Sequence, residues 1–344
     1  MKKNTIHYGF GKDYLSSWGL KEALREIYQN FLDYGDYEEF IVESDDKVTV
    51  TITNSWEPEN LDFLRIGNSK KSGSNAIGKH GEGLKMAFLI LLREGFYSKI
   101  TTPDQTVVPE LYTDKQIGEC FCLVYIDHAE RKSGFKIEFD CPIDVYNDFI
   151  ENLVTPEDVI YDDNYWGQIV AKRNGNIYSG GLFVTHAPNI SKAYNIRPQY
   201  LPLDRDRSVP RSFDLNYAAS KINESYGKFE VDDLSMSDTA YIDDVPKEIK
   251  EQVTPVLVGN SIEFKHTDRN GNDKVITNHS VKEAMIRDSF FAGAIKKLKL
   301  FIAKQLGLYD MLIEFRDKHV HNAEALMDFE LILERVQDKQ DIAA

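Results

Sequence analysis

Long hydrophobic runs are missing from this sequence, and so is the pattern of a secretory leader. None of the apolar stretches approaches the 18 or more residues of a membrane-spanning helix. The first eight residues, Met-Lys-Lys-Asn-Thr-Ile-His-Tyr, lack the apolar segment of a signal peptide. We therefore expect a cytoplasmic protein without a membrane partner.

Cysteine is also scarce, with three residues at Cys120, Cys122 and Cys141. Their spacing does not give the two close pairs of a common zinc site, and an odd number cannot pair completely into disulfides. We expect reduced thiols, as in cytoplasmic proteins. Cys120 and Cys122 would share one face of a strand, and we expect that face to be turned to the core.

Positive charge is in deficit. The chain has 41 Lys and Arg residues against 56 Asp and Glu residues, for a net charge of −15 at pH 7. This balance argues against a dominant nucleic-acid-binding face and for a soluble protein, although a local basic patch is compatible with it. Apolar residues make up 42% of the 344 residues, enough for a sizeable core in one large or two ordinary domains.

The most informative stretch is Ile77-Gly78-Lys79-His80-Gly81-Glu82-Gly83-Leu84-Lys85, whose three glycines are spaced G-x-x-G-x-G. An apolar segment, 86–92, follows it and is predicted to be helical. Unpaired N–H groups at the start of a helix, together with the helix dipole, favour an anion and most often a phosphate. A dinucleotide fold would place the motif after a strand, whereas polar residues 67–75 precede it here. Taken alone, the glycines fit ordinary turn residues nearly as well.

Residues 18–34 are predicted to form a helix, because apolar residues recur at helical spacing and Gly35 then ends the pattern. Spacings of four and three place Glu26, Asn30 and Asp33 on one face of this helix. Two interpretations stay open at this point. The three side chains either line a cleft or belong to a solvated helix face, and an isolated E-x-x-x-N pattern favours the second.

Other segments predict an α+β fold. Alternating or apolar patterns typical of strands occupy residues 39–43, 47–53, 97–101, 120–127 and 135–139. Short helices are predicted at 61–67 and 145–153. This order favours helices on one face of a mixed or antiparallel sheet.

The order of these motifs resembles the GHKL family of ATPases, which includes gyrase B, the ninety-kilodalton heat-shock chaperones, histidine kinases and MutL. The shared elements are a helix with E-x-x-x-N-x-x-D, a strand and turn, a lysine-bearing loop, and I-G-x-x-G-x-G before a helix, and they cover roughly residues 15–95. The resemblance implies a Bergerat-type fold that holds ATP and Mg²⁺ between helices and a mobile lid. It also implies that Glu26 is the general base, that Asn30 is the Mg²⁺ ligand, and that Asp33 supports the site. Carboxylate and amide oxygens suit these roles.

The same resemblance implies the phosphate-binding residues. Backbone N–H groups of residues 81–84 would contact the phosphates, and Lys70 and Lys71 would lie in the lid loop. The full set of motif residues that we expect at the nucleotide is Gly78, His80, Gly81, Glu82, Gly83, Leu84 and Lys85.

One position departs from the family pattern. The family has D-x-G-x-G after the strand, with the Asp accepting a hydrogen bond from the adenine amino group, whereas this chain has Asn54 in Asn-Ser-Trp-Glu-Pro. An Asn oxygen still accepts a hydrogen bond, but without charge assistance, so ATP affinity or base selectivity is expected to be weaker. Trp56 either stacks near the base or packs in the core or lid, and packing is the more ordinary role.

The second half carries a hairpin signal and a second resemblance. Asn174-Gly175 lies between apolar runs at 166–172 and 176–178, which predicts a hairpin. The segment Leu-Pro-Leu-Asp-Arg-Asp-Arg at 201–207 resembles the L-P-L-N-x-S-R catalytic loop of the heat-shock chaperones' second domain. On that match Arg207 reaches the γ-phosphate, Arg205 is the second choice, and Asp204 stands where the family has Asn. The alternative is an exposed cluster in which Asp and Arg pair with each other.

Three regions are expected: an ATP-binding domain at 1–150, a transducer-like α/β domain at 151–245, and a hairpin with a helical tail at 246–344. Acidic residues 231–251 predict a linker or exposed loop. A capping box at 280–283 predicts a helix to about residue 306.

Further short elements are a small hairpin at 269–272 and two C-terminal helices at 309–318 and 323–336.

The resulting expectation is a Mg²⁺-dependent, chaperone-like ATPase that couples its nucleotide state to domain closure or dimerisation and acts on a macromolecule. Its partner would be a protein, less readily a nucleic acid, and a homodimer is compatible with the sequence. The alternative is a non-hydrolysing binding or inhibitory module, of a kind suited to phage or bacterial defence, that works through protein contacts. A histidine kinase ranks third, because no sensor region or membrane segment accompanies the motifs.

Overall fold

The computed structural model describes residues 3–65, 82–203, 210–258 and 261–287, together with Glu314. The chain divides into two compact units. The first comprises Met1–Val159, Asn176–Thr185 and Asn195–Pro210, and the second comprises Ile160–Gly175, His186–Tyr194 and Arg211–Ala344. No helix among the described residues is long and apolar enough to cross a membrane. The three predicted functional regions stay a prediction.

The first unit contains a seven-stranded sheet. Its strands are β1 (Lys3–Gly11), β2 (Glu38–Glu43), β3 (Lys47–Asn54), β4 (Ser98–Thr101), β5 (Gln105–Asp114), β6 (Gly118–Asp127) and β7 (Phe135–Pro142). Their order is β1-β6-β5-β4-β7-β3-β2, and every neighbouring pair is antiparallel. Of the two predicted sheet types, the antiparallel one is therefore confirmed, and the α+β class with it. Strands β1 and β5 were not predicted.

The described residues of this unit also form the helices α1 (Leu20–Tyr34), α2 (Gly83–Arg93) and α3 (Ile143–Glu151). Helix α1 is amphipathic and buries Leu24, Ile27 and Phe31. Its start is stabilised by Glu22, whose carboxylate accepts a hydrogen bond from the N–H of Gly19 at 2.7 Å. Helix α2 is buried along residues 84–91, so its apolar surface is continuous rather than one-sided.

The core of this unit lies between one face of the sheet and the helices. Val50 and Ile52 of β3 and Phe139 of β7 join α1 and α2 in one buried cluster. Cys120 and Cys122 share a face, as predicted, and are buried, and both thiols are free. Their face is the other one, however, because the alternate residues of β6 are those that pack in the core cluster.

The residues of neighbouring strands cover these two thiols. Tyr112 lies opposite Cys120, while Glu110 and His7 lie opposite Cys122. The rings of His7 and Tyr112 stand edge to face at 4.5 Å. Side chains on the neighbouring strands therefore contribute to the burial of the small cysteines.

A five-stranded sheet follows in the chain. Its strands are β8 (Val159–Asp162), β9 (Gly167–Val170), β10 (Asn176–Ser179), β11 (Leu182–His186) and β12 (Ala193–Ile196). The order β11-β10-β12-β9-β8 separates β9 from β10, so the hairpin predicted around Asn174-Gly175 is wrong. Instead, β10 and β11 are adjacent and joined by Gly180-Gly181. Both glycines have positive φ, 60° and 84°, as tight hairpin turns require.

The predicted turn at Gly175 makes other bonds. Its N–H donates to the carbonyl of Lys192 at 3.0 Å, and its carbonyl accepts from the N–H of Ala187 at 2.7 Å. These bonds hold Gly175 against the 187–192 segment. The Asn-Gly pair therefore does mark a bend, but the strand that follows it, β10, pairs with β11 and β12 and not with β9.

The described residues of the second unit include a small sheet of β13 (Thr254–Val258), β14 (Ser261–Thr267) and β15 (Asp273–Val275), and the helices α4 (Ser212–Tyr226), α5 (Lys247–Lys250) and α6 (His279–Arg287). Strands β14 and β15 form the hairpin predicted at 269–272. The long helix predicted from residue 280 begins as α6, and its continuation lies outside the described residues. The two predicted C-terminal helices lie outside them as well.

The acidic stretch 231–251 is not the exposed linker that its composition predicts. It forms two 3₁₀ turns and α5, and it buries Asp233 and Asp238. Lys192 pairs with Asp233 at 2.9 Å. Asp238 accepts hydrogen bonds from the Ser191 hydroxyl and the Tyr194 hydroxyl, each at 2.7 Å. Specific donors therefore allow these carboxylates to be buried.

Candidate functional site

The described part of the predicted site consists of two helices and a strand end. Helix α1 carries Glu26, Asn30 and Asp33, β3 ends at Asn54, and α2 begins at Gly83. The remaining predicted residues that the structure describes are Glu82, Leu84 and Lys85. Those outside the described residues are Lys70, Lys71, Gly78, His80, Gly81, Asp204, Arg205 and Arg207.

The central feature is the approach of Glu26 to the first residue of α2. An ideal Cβ placed on Gly83 would lie 2.9 Å from Cδ of Glu26 and closer still to its Oε2. The carboxylate therefore lies directly against the Gly83 backbone. Glu26 is 8% exposed, so this contact is made largely out of solvent.

The placement has an electrostatic meaning. The first N–H groups of a helix point away from it and give its N-terminus partial positive charge. Glu26 thus presents negative charge beside a backbone that attracts anions. Such an arrangement suits a carboxylate that acts on a water molecule beside a bound phosphate.

Arg25 holds the other oxygen of this carboxylate and was not predicted. Its Nη2 and Nε are each 3.4 Å from Oε1 of Glu26. The guanidinium also lies 5.3 Å from the ring centroid of Trp18, within cation–π range. Arg25 therefore restrains Glu26 on one side while Gly83 bounds it on the other. Trp18 precedes the first residue of α1, so helical periodicity in the sequence does not signal this contact.

Asn30 is oriented by its own helix. Its Nδ2 donates to the carbonyl of Glu26 at 2.6 Å. This bond fixes the Asn30 side chain along α1 beside Glu26. Asp33, one turn further along α1, is partly exposed.

The donor chemistry at Asn30 fits Mg²⁺. This ion prefers hard oxygen ligands and takes few of them from protein when phosphates and water supply the rest. One amide oxygen with a carboxylate nearby is such a set. Among the described residues, no group of three or more His, Cys, Asp or Glu is placed to hold a metal ion.

Asn54 and Trp56 form a compact turn at the end of β3. The Asn54 Oδ1 accepts a hydrogen bond from the N–H of Trp56 at 3.2 Å. The Trp56 ring lies 5.1 Å from that of Phe63 and 5.0 Å from that of Phe135. Trp56 is therefore packed among aromatic rings, which is the ordinary one of the two roles expected for it.

Lys85 is fully buried near the start of α2. Its Nζ donates to the carbonyl of Phe63 at 3.0 Å. Burial lowers the pKa of the Lys85 ammonium to about 8, and neighbouring Glu82 partly opposes this. Lys85 thus ties α2 to the 3₁₀ turn Leu61–Leu64, and through Phe63 to Trp56.

Comparison with known proteins adds no family assignment. No protein-family model matches this chain, and no curated protein matches it either.

Proposed function

We propose that this chain binds Mg²⁺-ATP at the N-terminus of α2 and hydrolyses it, with Glu26 as the general base. The observation that supports this most directly is the contact between the Glu26 carboxylate and the Gly83 backbone. A base that touches a phosphate-binding helix terminus is within reach of a water molecule that attacks the terminal phosphate. The motif order around these residues supports the same function.

In this proposal the chain mainly provides positions and charges. Oε2 of Glu26 accepts a proton from the attacking water, while Arg25 keeps the carboxylate in place. Backbone N–H groups at the start of α2 bind phosphate oxygens. Asn30 would hold Mg²⁺, which would neutralise charge on the phosphates, and Asp33 would support the site from one turn further along α1. Arg207 is the proposed sensor of the γ-phosphate, and closure on ATP would act on a macromolecular partner, with or without dimerisation.

A second candidate function is nucleotide-independent binding through protein surfaces. One observation favours it: Asn54 already accepts a hydrogen bond from the N–H of Trp56, and Trp56, at the first of the two glycine positions of the GHKL pattern, packs against Phe63 and Phe135. This filled turn leaves less freedom for base recognition. The buried base Glu26 favours the hydrolytic function, since a pure binding module has no use for it.

ATP binding and steady-state hydrolysis test the proposal, with the wild type beside Glu26→Gln. We expect the variant to bind ATP with nearly unchanged affinity and to lose about 10²–10⁴-fold in turnover, the usual contribution of a general base. Glu22→Gln is the matched control, because Glu22 is on the same helix but caps Gly19. Its turnover should stay close to that of the wild type.

Two outcomes would contradict the proposal. If the wild type binds no ATP at millimolar concentrations, the second candidate function replaces the first. If Glu26→Gln hydrolyses ATP as fast as the wild type, another group is the base.

A further inference from the structure

Strand β2 lies at one end of the seven-stranded sheet. It pairs with β3 from Glu38 opposite Thr53 to Glu43 opposite Val48, without a break in register. No described strand pairs with its other side. Its outer backbone groups therefore form an open edge, to which a further strand can add.

The middle of this edge is apolar and exposed. Phe40, Ile41 and Val42 are 58%, 45% and 67% exposed, respectively. Sheets usually protect an edge with charged residues, proline or a bulge; β2 has no lysine, proline or bulge, and its charged residues are Glu38, Glu39 and Glu43. Three consecutive exposed apolar residues on an open edge are the features of a docking strand.

Hydrogen bonds connect β2 to two helices of the same unit. Glu39 points to the helical side, where Oε1 accepts hydrogen bonds from the hydroxyls of Tyr28 and Tyr146, the latter at 2.8 Å. Tyr28 belongs to α1 and Tyr146 to α3. Because the Glu39 carboxylate is bonded on the helical side of the sheet, the charges of the strand that face solvent are those of Glu38 and Glu43, one at each end.

Charge decides which partner fits this edge. Residues directly opposite in an antiparallel pair share a face of the sheet, so a second copy would place Glu39 opposite Glu43 in the register centred on Ile41, or Glu38 opposite Val42 in the register centred on Phe40. In both registers the acidic end with exposed Asp36 and Glu38 lies beside the acidic end of the other copy, with exposed Glu43 and Asp45, which is unfavourable. A strand with a basic residue opposite each glutamate would instead form two favourable pairs.

We propose that the open edge of β2 binds an extended segment of a partner protein by strand addition. The segment carries apolar or β-branched residues opposite Phe40, Ile41 and Val42, and a Lys or Arg opposite Glu38 and Glu43. The backbone of β2 supplies hydrogen bonds, and the two glutamates supply selectivity and register. This proposal does not depend on nucleotide binding.

A peptide designed for this edge provides the test. The probe is the fluorescein-labelled octapeptide Ser-Lys-Val-Ile-Val-Thr-Lys-Ser, and its matched control has Glu in place of both Lys. Fluorescence anisotropy at low salt measures binding of both peptides to the full chain. We expect the wild type to bind the Lys peptide about tenfold more tightly, since two cross-strand charge contacts change from repulsive to attractive in the comparison.

A charge-reversed protein gives the decisive comparison. Glu38→Lys combined with Glu43→Lys changes only exposed side chains, so the fold is expected to persist, which circular dichroism checks. The preference should reverse in favour of the Glu peptide. Hydrogen exchange should show new protection of amides in 38–43 when the favoured peptide is bound, and methylation of the peptide's backbone nitrogens should abolish binding.

Three results would overturn the inference. The first is that neither peptide binds at millimolar concentration. The second is that the preference does not reverse in the doubly substituted protein. The third is a wild-type dimer in sedimentation velocity that Phe40→Lys converts to monomer, because the edge would then be occupied by a second copy.

Discussion

The carboxylate of Glu26 occupies the space that a side chain on Gly83 would fill. A Cβ at that position would be 2.9 Å from Cδ of Glu26 and nearer still to Oε2. Glycine at residue 83 is therefore required by a close approach and not by a turn. This relationship joins the two motifs that the sequence presents separately, the E-x-x-x-N helix and the glycine-rich stretch.

Gly83→Ala should displace the Glu26 carboxylate while leaving the fold intact. The added methyl group meets the end of a flexible side chain, which can rotate away, and Ala is favoured over Gly in a helix by about 0.5–1 kcal/mol. If Glu26 is the base, turnover of ATP falls by at least about tenfold with an unchanged or slightly raised Tm. Steady-state kinetics and thermal melts measure both.

A double-mutant cycle separates the clash from other effects. In a Glu26→Ala background, Gly83→Ala should raise the free energy of unfolding more than it does in the wild type, because no carboxylate has to be displaced. Gly19→Ala is the matched control, since its Cβ meets nothing closer than 3.6 Å. Equal effects of Gly83→Ala in both backgrounds would show that the two residues are not coupled.

Asn54→Asp should raise ATP affinity by about three- to tenfold, on the proposed function. A carboxylate accepts a stronger hydrogen bond than an amide oxygen, and it can still accept from the N–H of Trp56. Isothermal titration of ATP and GTP distinguishes base recognition from a general charge effect. GTP affinity should not rise, because guanine has a carbonyl where adenine has its amino group. A parallel change for both nucleotides would place the base elsewhere.

Between pH 8 and pH 9.5 the free energy of unfolding of the wild type should rise because of Lys85, and Lys85→Met should remove this rise. Burial lowers the folded-state pKa of Lys85 to about 8, below its ordinary value of 10.5. In this window the unfolded chain binds more protons, so the free energy of unfolding increases with pH. We expect the wild type to gain about 1–2 kcal/mol relative to the variant over this range. Urea denaturation measures the difference at each pH.

The exposed Lys21 provides the control for this series. Lys21→Met should change the free energy of unfolding equally at each pH. A Lys85→Met profile parallel to that of the wild type would mean that Lys85 keeps an ordinary pKa in the folded chain.

Tyr28→Phe should cost about 1–3 kcal/mol at pH 7, because it removes one of the two donors to the partly buried Glu39. Burial, and next the charge of Glu39, raise the pKa of Tyr28 above its ordinary 10.0. The unfolded chain therefore loses this proton first above pH 10, and the stabilisation declines there. Urea denaturation at pH 7 and pH 10.5 should show a smaller difference at the higher pH.

Exposed Tyr165→Phe serves as the control, with an expected change within about 0.5 kcal/mol. A cost for Tyr28→Phe that persists after Glu39→Leu, which removes the acceptor, would assign the effect to packing instead of the hydrogen bond.

Local patterns predicted the central elements well. The helix expected at 18–34 is α1 at Leu20–Tyr34, and the strand expected at 47–53 is β3 at Lys47–Asn54. Failures occurred where a pattern is satisfied by distant residues. The Asn-Gly turn is followed by a strand that pairs elsewhere, and acidic Asp238 is buried because Ser191 and Tyr194 supply donors.

The sequence by itself determined which side chains share a face, since the periods of helix and strand are properties of the local backbone. It thus placed Glu26 with Asn30, and Cys120 with Cys122. Only the tertiary structure decided what each face meets, because that depends on how the whole chain buries its apolar surface. It put Glu26 against Gly83, Arg25 beside Glu26, and the open edge of β2 next to no described strand.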